Sequence, residues 1–194
     1  LPISPDKANA MWIVRADLPV SDTHAEYPAL VVANYVLGGG ALKSRLADRI
    51  RQRDGLSYGV GSQFSAGALD ERGSLLAYAI AAPENIDKVD VAFNEELALL
   101  LDKGITETEF RDAVDGLLKA RRTSRGEDNS LVGMLRGNLY LQRSMAFEAG
   151  FDAALQSLTV EQVNAAAREH FGKLAFARFM AGDFAKVAKA GDAE

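Results

Sequence analysis

Residues 42–65 read Leu42-Lys-Ser-Arg-Leu-Ala-Asp-Arg-Ile50-Arg-Gln-Arg-Asp-Gly55-Leu-Ser-Tyr-Gly-Val60-Gly-Ser-Gln-Phe-Ser65, and the apolar period changes inside that stretch. Leu42, Leu46 and Ile50 stand four apart on one helical stripe, with Arg45, Asp48, Arg49, Arg51 and Arg53 around it. The spacing predicts a helix over 42–53, closed at Asp54-Gly55, where glycine accepts the left-handed backbone that ends a helix. Beyond Gly55 the period becomes two. Tyr58, Val60, Ser62 and Phe64 fall on one face, and Gly59, Gly61, Gln63 and Ser65 on the other, which predicts a strand with one smooth, glycine-lined face.

Outward from this reversal the same two periods recur. Residues 10–18 are β-branched and aromatic and end at Pro19, as a strand would. After the polar turn Ser21-Asp22-Thr23, Pro28 opens a helix carrying Leu30, Val31, Asn34, Tyr35 and Leu37, which the run Gly38-Gly39-Gly40 breaks. A turn over 67–73 leads to a strand at 74–82, paired with the preceding one as an antiparallel hairpin. Helical periodicity then covers 87–102, 107–125, 129–143, 147–157 and 160–171, a last strand covers about 175–181, and an Ala/Lys-rich tail follows. Strands early, central and late with helices between them predict an α+β fold. It is a two-layer sandwich of a mostly antiparallel sheet with helices packed on one face, and residues 1–194 form a single domain.

Composition narrows the function classes. The 22 basic and 27 acidic side chains give a net charge of −5, which disfavours a nucleic-acid binder that works by neutralising phosphates. The densest apolar stretch, Leu97 to Leu101, is far too short to span a bilayer, so no membrane span is expected. The absence of cysteine removes disulfides, thiolate nucleophiles and cysteine-bound zinc together. A first residue of Leu1 rather than Met suggests a processed product or a piece excised from a longer polypeptide.

Residue chemistry is sparse. The two histidines, His24 and His170, are the only anchors for a histidine zinc site. Residues 166–170, Ala-Ala-Arg-Glu-His, are a His-x-x-Glu-His motif with alanine where the first ligand belongs. His170 therefore reads as a last-turn residue complementing a helix dipole, and His24, between Asp22 and Glu26, as a solvated turn residue. No bound metal or cofactor is expected. Gly38 to Ser44 is no phosphate loop, because Leu42 precedes the lysine and the segment follows a helix. No serine sits in a Gly-x-Ser-x-Gly elbow, the nearest candidate being Ser62 within the strand. What remains is Arg51 and Tyr58, brought toward each other by the Gly55 turn, a planar cation and a phenol able to hold a carbonyl or an oxyanion. The plainer alternative is an arginine paired with Asp48 or Asp54 and a half-buried strand tyrosine.

The stretch from Asn34 to Ser62, with its Leu-Gly-Gly-Gly, Ser-Arg-Leu and Arg-x-x-x-Gly-Leu-x-Tyr elements, resembles the non-catalytic domain of the insulinase/pitrilysin family of zinc peptidases. The early strand, Ala-Pro-Glu-Asn at 82–85, Gly104-Ile105-Thr106, Leu158-Thr159 and Ala181-Gly182-Asp183-Phe184 extend the resemblance along nearly the whole chain. It implies a C-terminal, zinc-free domain, inactive alone, within a metalloendopeptidase whose two halves enclose an unfolded peptide. Zinc would lie on the partner half, in the same polypeptide or a separate subunit. By resemblance, Arg51 would bind a substrate carbonyl and Tyr58 would hydrogen-bond the tetrahedral intermediate. The strand after Tyr58 would be either an exposed edge able to pair with an extended peptide or an internal strand packed closely by another backbone. The resemblance also implies a periplasmic setting. The alternative is a proteolytically inactive scaffold subunit of the same fold, and a third reading is a free-standing peptide-binding module.

Overall fold

The computed structural model describes residues 8–40 and 43–184. Leu42, the first residue of the apolar stripe, and the Ala/Lys-rich tail lie outside the described residues. Strands β1 (Ala10–Leu18), β2 (Ser57–Ser65), β3 (Gly73–Ala81) and β4 (Ala177–Ala181) form one sheet in the order β2-β3-β1-β4. Every pairing in it is antiparallel. The helices are α1 (Tyr27–Asn34), α2 (Ile86–Lys103), α3 (Glu107–Arg125), α4 (Asp128–Tyr140), α5 (Met145–Ser157) and α6 (Val160–His170). Boundaries differ from the sequence expectation by a few residues, as where the last strand starts at Ala177 and α4 ends at Tyr140. The α+β sandwich is as expected.

Alternation along the strands explains the two layers. In β1, Ala10, Trp12, Val14, Ala16 and Leu18 are buried, and in β3 Leu75, Ala77, Ala79 and Ala81 are. These side chains meet Leu30, Leu37, Val89, Phe93, Val163 and Phe171 of the helical layer in one hydrophobic cluster. The opposite face keeps Met11, Tyr78, Ile80 and Phe179 exposed. Ile13, paired with Tyr78 on one side and Phe179 on the other, joins them in an apolar, uncovered surface.

Local chemistry places the helix ends. Thr106 and Glu109 form a reciprocal capping box at the start of α3, and Thr159 and Gln162 do the same for α6. Between α2 and α3, Gly104 sits at φ 76°, a backbone that side-chain-bearing residues rarely take. Arg45 ties this corner to the rest: its guanidinium donates to both carboxylate oxygens of Glu109 at 2.7 and 2.9 Å and to the Gly104 carbonyl at 2.8 Å.

That corner is acid-sensitive. Burial pushes the Glu109 carboxyl up, but hydrogen bonds from Arg45 and from Thr106 outweigh it and hold its pKa below the usual 4.5. A folded-state pKa below the unfolded one means stabilisation that is fully present above about pH 4.5 and lost as pH falls through the lowered folded value. Wild type is therefore expected to lose its Tm advantage over Glu109→Gln on acidification below that point. A Tm gap that stays constant from neutral pH to about pH 3 would show that the carboxylate's charge contributes nothing.

Candidate functional site

Arg51 and Tyr58 flank the reversal at the edge of the sheet. Residues Ala47–Arg53 wind as a π-helix, with the Asp54 amide bonded to the Arg49 carbonyl at 3.0 Å. Such wide turns are rare in proteins and concentrate at functional sites. Gly55, at φ 62°, turns the chain, and the Leu56 amide bonds back to the Ile50 carbonyl at 2.8 Å. Strand β2 begins two residues after Gly55, so backbone hydrogen bonds fix the short path between the two candidate residues.

The start of β2 is bulged. Ser57 pairs with Ala81 and Gly59 with Ile80, which leaves Tyr58 as the extra residue. The Ser57 hydroxyl repairs the ladder there, donating to the Ile80 carbonyl at 2.7 Å and accepting from the Gly59 amide at 3.2 Å. The sequence expectation of one face holding Tyr58, Val60, Ser62 and Phe64 is corrected by this bulge. Ser57, Val60, Ser62 and Phe64 stand opposite Ala81, Ala79, Ala77 and Leu75, all buried, whereas Tyr58 is 91% exposed. The half-buried strand tyrosine is thereby excluded.

The paired-arginine alternative fails as well. Arg45 is committed to Glu109, and Arg49 to Asp54 at 2.7 Å and Glu95 at 2.9 Å. Arg53 contributes to the positive field around Glu96, whose carboxyl burial pushes up and these arginines push down. Arg51 is exposed and, among the described residues, makes no hydrogen bond or ion pair. The reversal thus presents an unengaged guanidinium and an unengaged phenol on one short stretch of backbone. Beside it, a cleft of about 570 Å³ opens between Arg49, Asp54 and Leu56 on one side and Asp87, Lys88 and Val91 of α2 on the other.

Both readings of the strand edge hold in part. Within the described residues β2 pairs only with β3, so its outer side is an edge. Yet α1 continues as a π-helical turn, Tyr35–Gly39, that lies against it. A Cβ on Gly38 would fall 2.6 Å from the Ser62 Oγ and 2.7 Å from its backbone nitrogen, so only glycine permits this approach. The Ser62 hydroxyl donates to the buried Asn34 Oδ1 at 2.7 Å, which locks the glycine turn onto mid-β2. The glycine run therefore acts as a backbone spacer, and nothing in it cradles a phosphate.

The residues at 166–170 do not fit a catalytic zinc ion. Ala166, which holds the place of the first ligand, is completely buried in the core. Glu169 turns outward onto Lys173, which lowers its pKa, and His170 bonds to Glu26. One histidine ligand is thus missing, the other is engaged by Glu26, and the carboxylate that would serve as the base points away.

Comparison with known proteins bears on the family and the fold. Residues 3–117 match the family described as the peptidase M16 inactive domain. An uncharacterized zinc protease of Mycobacterium leprae is 35% identical over 146 residues, covering 75% of this chain and 32% of that protein. The solved peptidase M16 inactive domain from Pseudomonas fluorescens superposes with a TM-score of 0.77 at 26% identity, over 93% of this chain and 42% of that one. The periplasmic protease PqqL of Escherichia coli shares the fold with a TM-score of 0.72 at 20% identity, over 93% of this chain and 20% of that one. The chain spans about a third of the length of that curated relative.

Proposed function

This chain belongs to the peptidase M16 inactive-domain family, and on that premise we propose that it is the non-catalytic, substrate-binding domain of a zinc metallopeptidase. It presents Arg51 and Tyr58 to an active site whose zinc ion is held by a separate, catalytic half. The observation that carries this reading is the exposure of both side chains, Arg51 on the π-helical turn and Tyr58 extruded by the β-bulge. A residue kept for packing would be covered. The uncovered sheet face with Met11, Ile13, Tyr78, Ile80 and Phe179 supplies an apolar wall suited to an unfolded peptide. The periplasm is the compartment that goes with this reading.

Zinc, when bound on the catalytic half, supplies the activated water that attacks the peptide bond. Arg51 contributes a planar fork of N–H donors that grips a substrate backbone carbonyl and fixes the peptide's register. Tyr58 donates a hydrogen bond from its hydroxyl to the oxyanion that forms as the carbonyl becomes tetrahedral. Neither role requires a proton to leave this chain. Both require the two tips to be unengaged before substrate arrives, as they are.

A scaffold of the same fold is the rival reading, and the exposed pair weighs against it. Affinity of the metal-free, full-length protein for an unfolded peptide separates the two. Arg51→Ala is expected to weaken binding by roughly tenfold or more, the usual worth of a hydrogen bond to a charged donor. Peptide affinity indifferent to Arg51→Ala would favour the scaffold.

A further inference from the structure

The far end of the sheet holds a second cluster that the peptidase reading does not use. The only two histidines of the chain, His24 in the turn before α1 and His170 at the end of α6, meet there around Glu26. One ligand atom from each of the three residues lies within 4.8 Å of the other two. His170 Nε2 is 2.8 Å from Glu26 Oε2 although the two residues are 144 positions apart. The His24 Nδ1 accepts the Glu26 amide at 3.2 Å, and the two imidazoles stand edge to face at 5.4 Å.

We infer that His24, Glu26 and His170 bind a divalent transition-metal ion of the zinc class, clipping the entrance of α1 to the end of α6. Two imidazole nitrogens and one carboxylate oxygen suit Zn²⁺ and its neighbours, whereas Mg²⁺ and Ca²⁺ select sites built from oxygen. Tetrahedral zinc at 2.0–2.1 Å from each ligand sets donors roughly 3.4 Å apart. The donors therefore have to shift relative to one another by at most about 1.4 Å, drawing in from the 4.8 Å spread while the 2.8 Å His170–Glu26 pair opens slightly. Room for that exists, because the Glu26 side chain is 43% exposed and both His24 and Glu26 precede the first helical turn.

The proton balance is simple. As the acceptor of the Glu26 amide, His24 Nδ1 carries no proton, so its lone pair meets the ion in exchange for one long N–H···N contact. In a neutral His170 ring the proton shared with Glu26 Oε2 moves from Nε2 to Nδ1, which leaves the Nε2 lone pair and the Glu26 carboxylate to the ion. The fourth coordination position is left to water. Tyr58 lies at the other end of β2, whereas Ser21, three residues before His24, bridges Gly67 just past the strand's last residue. From Tyr58 to Ser65 is roughly 23 Å of extended chain. The clip is thus remote from the substrate-contacting pair, and its role is to tie two helices together.

The test uses the chain stripped by chelator and titrated with Zn²⁺ alone, then with Co²⁺ alone. One equivalent is expected to bind with a Kd in the micromolar range, and Co²⁺ is expected to develop visible ligand-field bands. At about 100 times the Kd, a Tm rise of roughly 5–10 °C is expected for a chain of this size. His24→Ala and Glu26→Gln should each weaken binding roughly tenfold or more, and neither residue packs in the core, so both variants should fold. Mg²⁺ should leave Tm unchanged. The proposal is overturned if no saturable binding appears below about 1 mM, or if binding is the same in His24→Ala and Glu26→Gln as in wild type.

Discussion

Tyr58→Phe in the full-length protein is expected, on the proposed substrate-binding role, to lower kcat for peptide hydrolysis by about 10²-fold or more with KM nearly unchanged. The substitution removes one oxygen and keeps the ring, so neither the bulge nor the exposure of the side chain is disturbed. Only a hydrogen bond that strengthens as the carbonyl oxygen gains charge is deleted. Such donors, pre-aimed at an oxyanion, are worth about 2.7–4 kcal/mol in comparable sites. The bulge lifts Tyr58 out of the ladder while Ser57 keeps the flanking strand paired, so the phenol is left free for the proposed role. Steady-state kinetics on a fluorogenic peptide reads the result. A KM effect alone would make Tyr58 a binding contact of the Arg51 kind, and rates equal to wild type would remove it from the chemistry.

Trp12→Ala is expected to cost about 3–5 kcal/mol of folding stability, the range for deleting a large aromatic from a packed core. For a chain of this length that is a fall in Tm of roughly 6–20 °C. Trp12, the third residue of β1, is fully buried, and its ring meets Phe93 of α2 at 5.3 Å between centroids. Its indole N–H donates to Asp90 at 3.0 Å. Truncation opens a cavity between the sheet and α2, and Asp90 stays engaged by Arg178 and Asn94. The loss is therefore mostly packing. Trp12→Phe should cost much less, since it keeps most of the volume and gives up one hydrogen bond of about 1 kcal/mol. Urea denaturation with an unchanged m-value would check both, and equal losses in the two variants would assign the stability to the hydrogen bond instead.

These two expectations rest on information of different origin. The place of Trp12 in a strand, buried beneath helices, follows from the alternation of residues 10–18 and from the helical stripes later in the chain. Those signals are local, because side-chain direction repeats every two residues in a strand and about every 3.6 in a helix. The hairpin, the glycine-closed reversal and the capped helices are legible for the same reason, since each depends on a handful of adjacent residues. Arg51 and Tyr58 were also legible as a pair, because the turn joining them is short and the motif around them is specific. What each side chain touches was not. Whether Arg51 pairs with Asp48 or Asp54, and whether Tyr58 packs, depends on how the helix winds and on the register of β2 against β3.

By itself, then, the amino-acid sequence determined the α+β class, the hairpin and the glycine-closed reversal between Arg51 and Tyr58, all through patterns spanning a few turns or a single strand. Only the tertiary structure decided that Tyr58 is the inserted residue of a bulge, since the shift exists only relative to Ala81 and Ile80 on the neighbouring strand. It alone brought Arg45 to Glu109 and His170 to Glu26, residues 64 and 144 positions apart. Contacts of that span carry no periodic trace in the chain, because they are made by whole elements docking onto one core rather than by the residues next door.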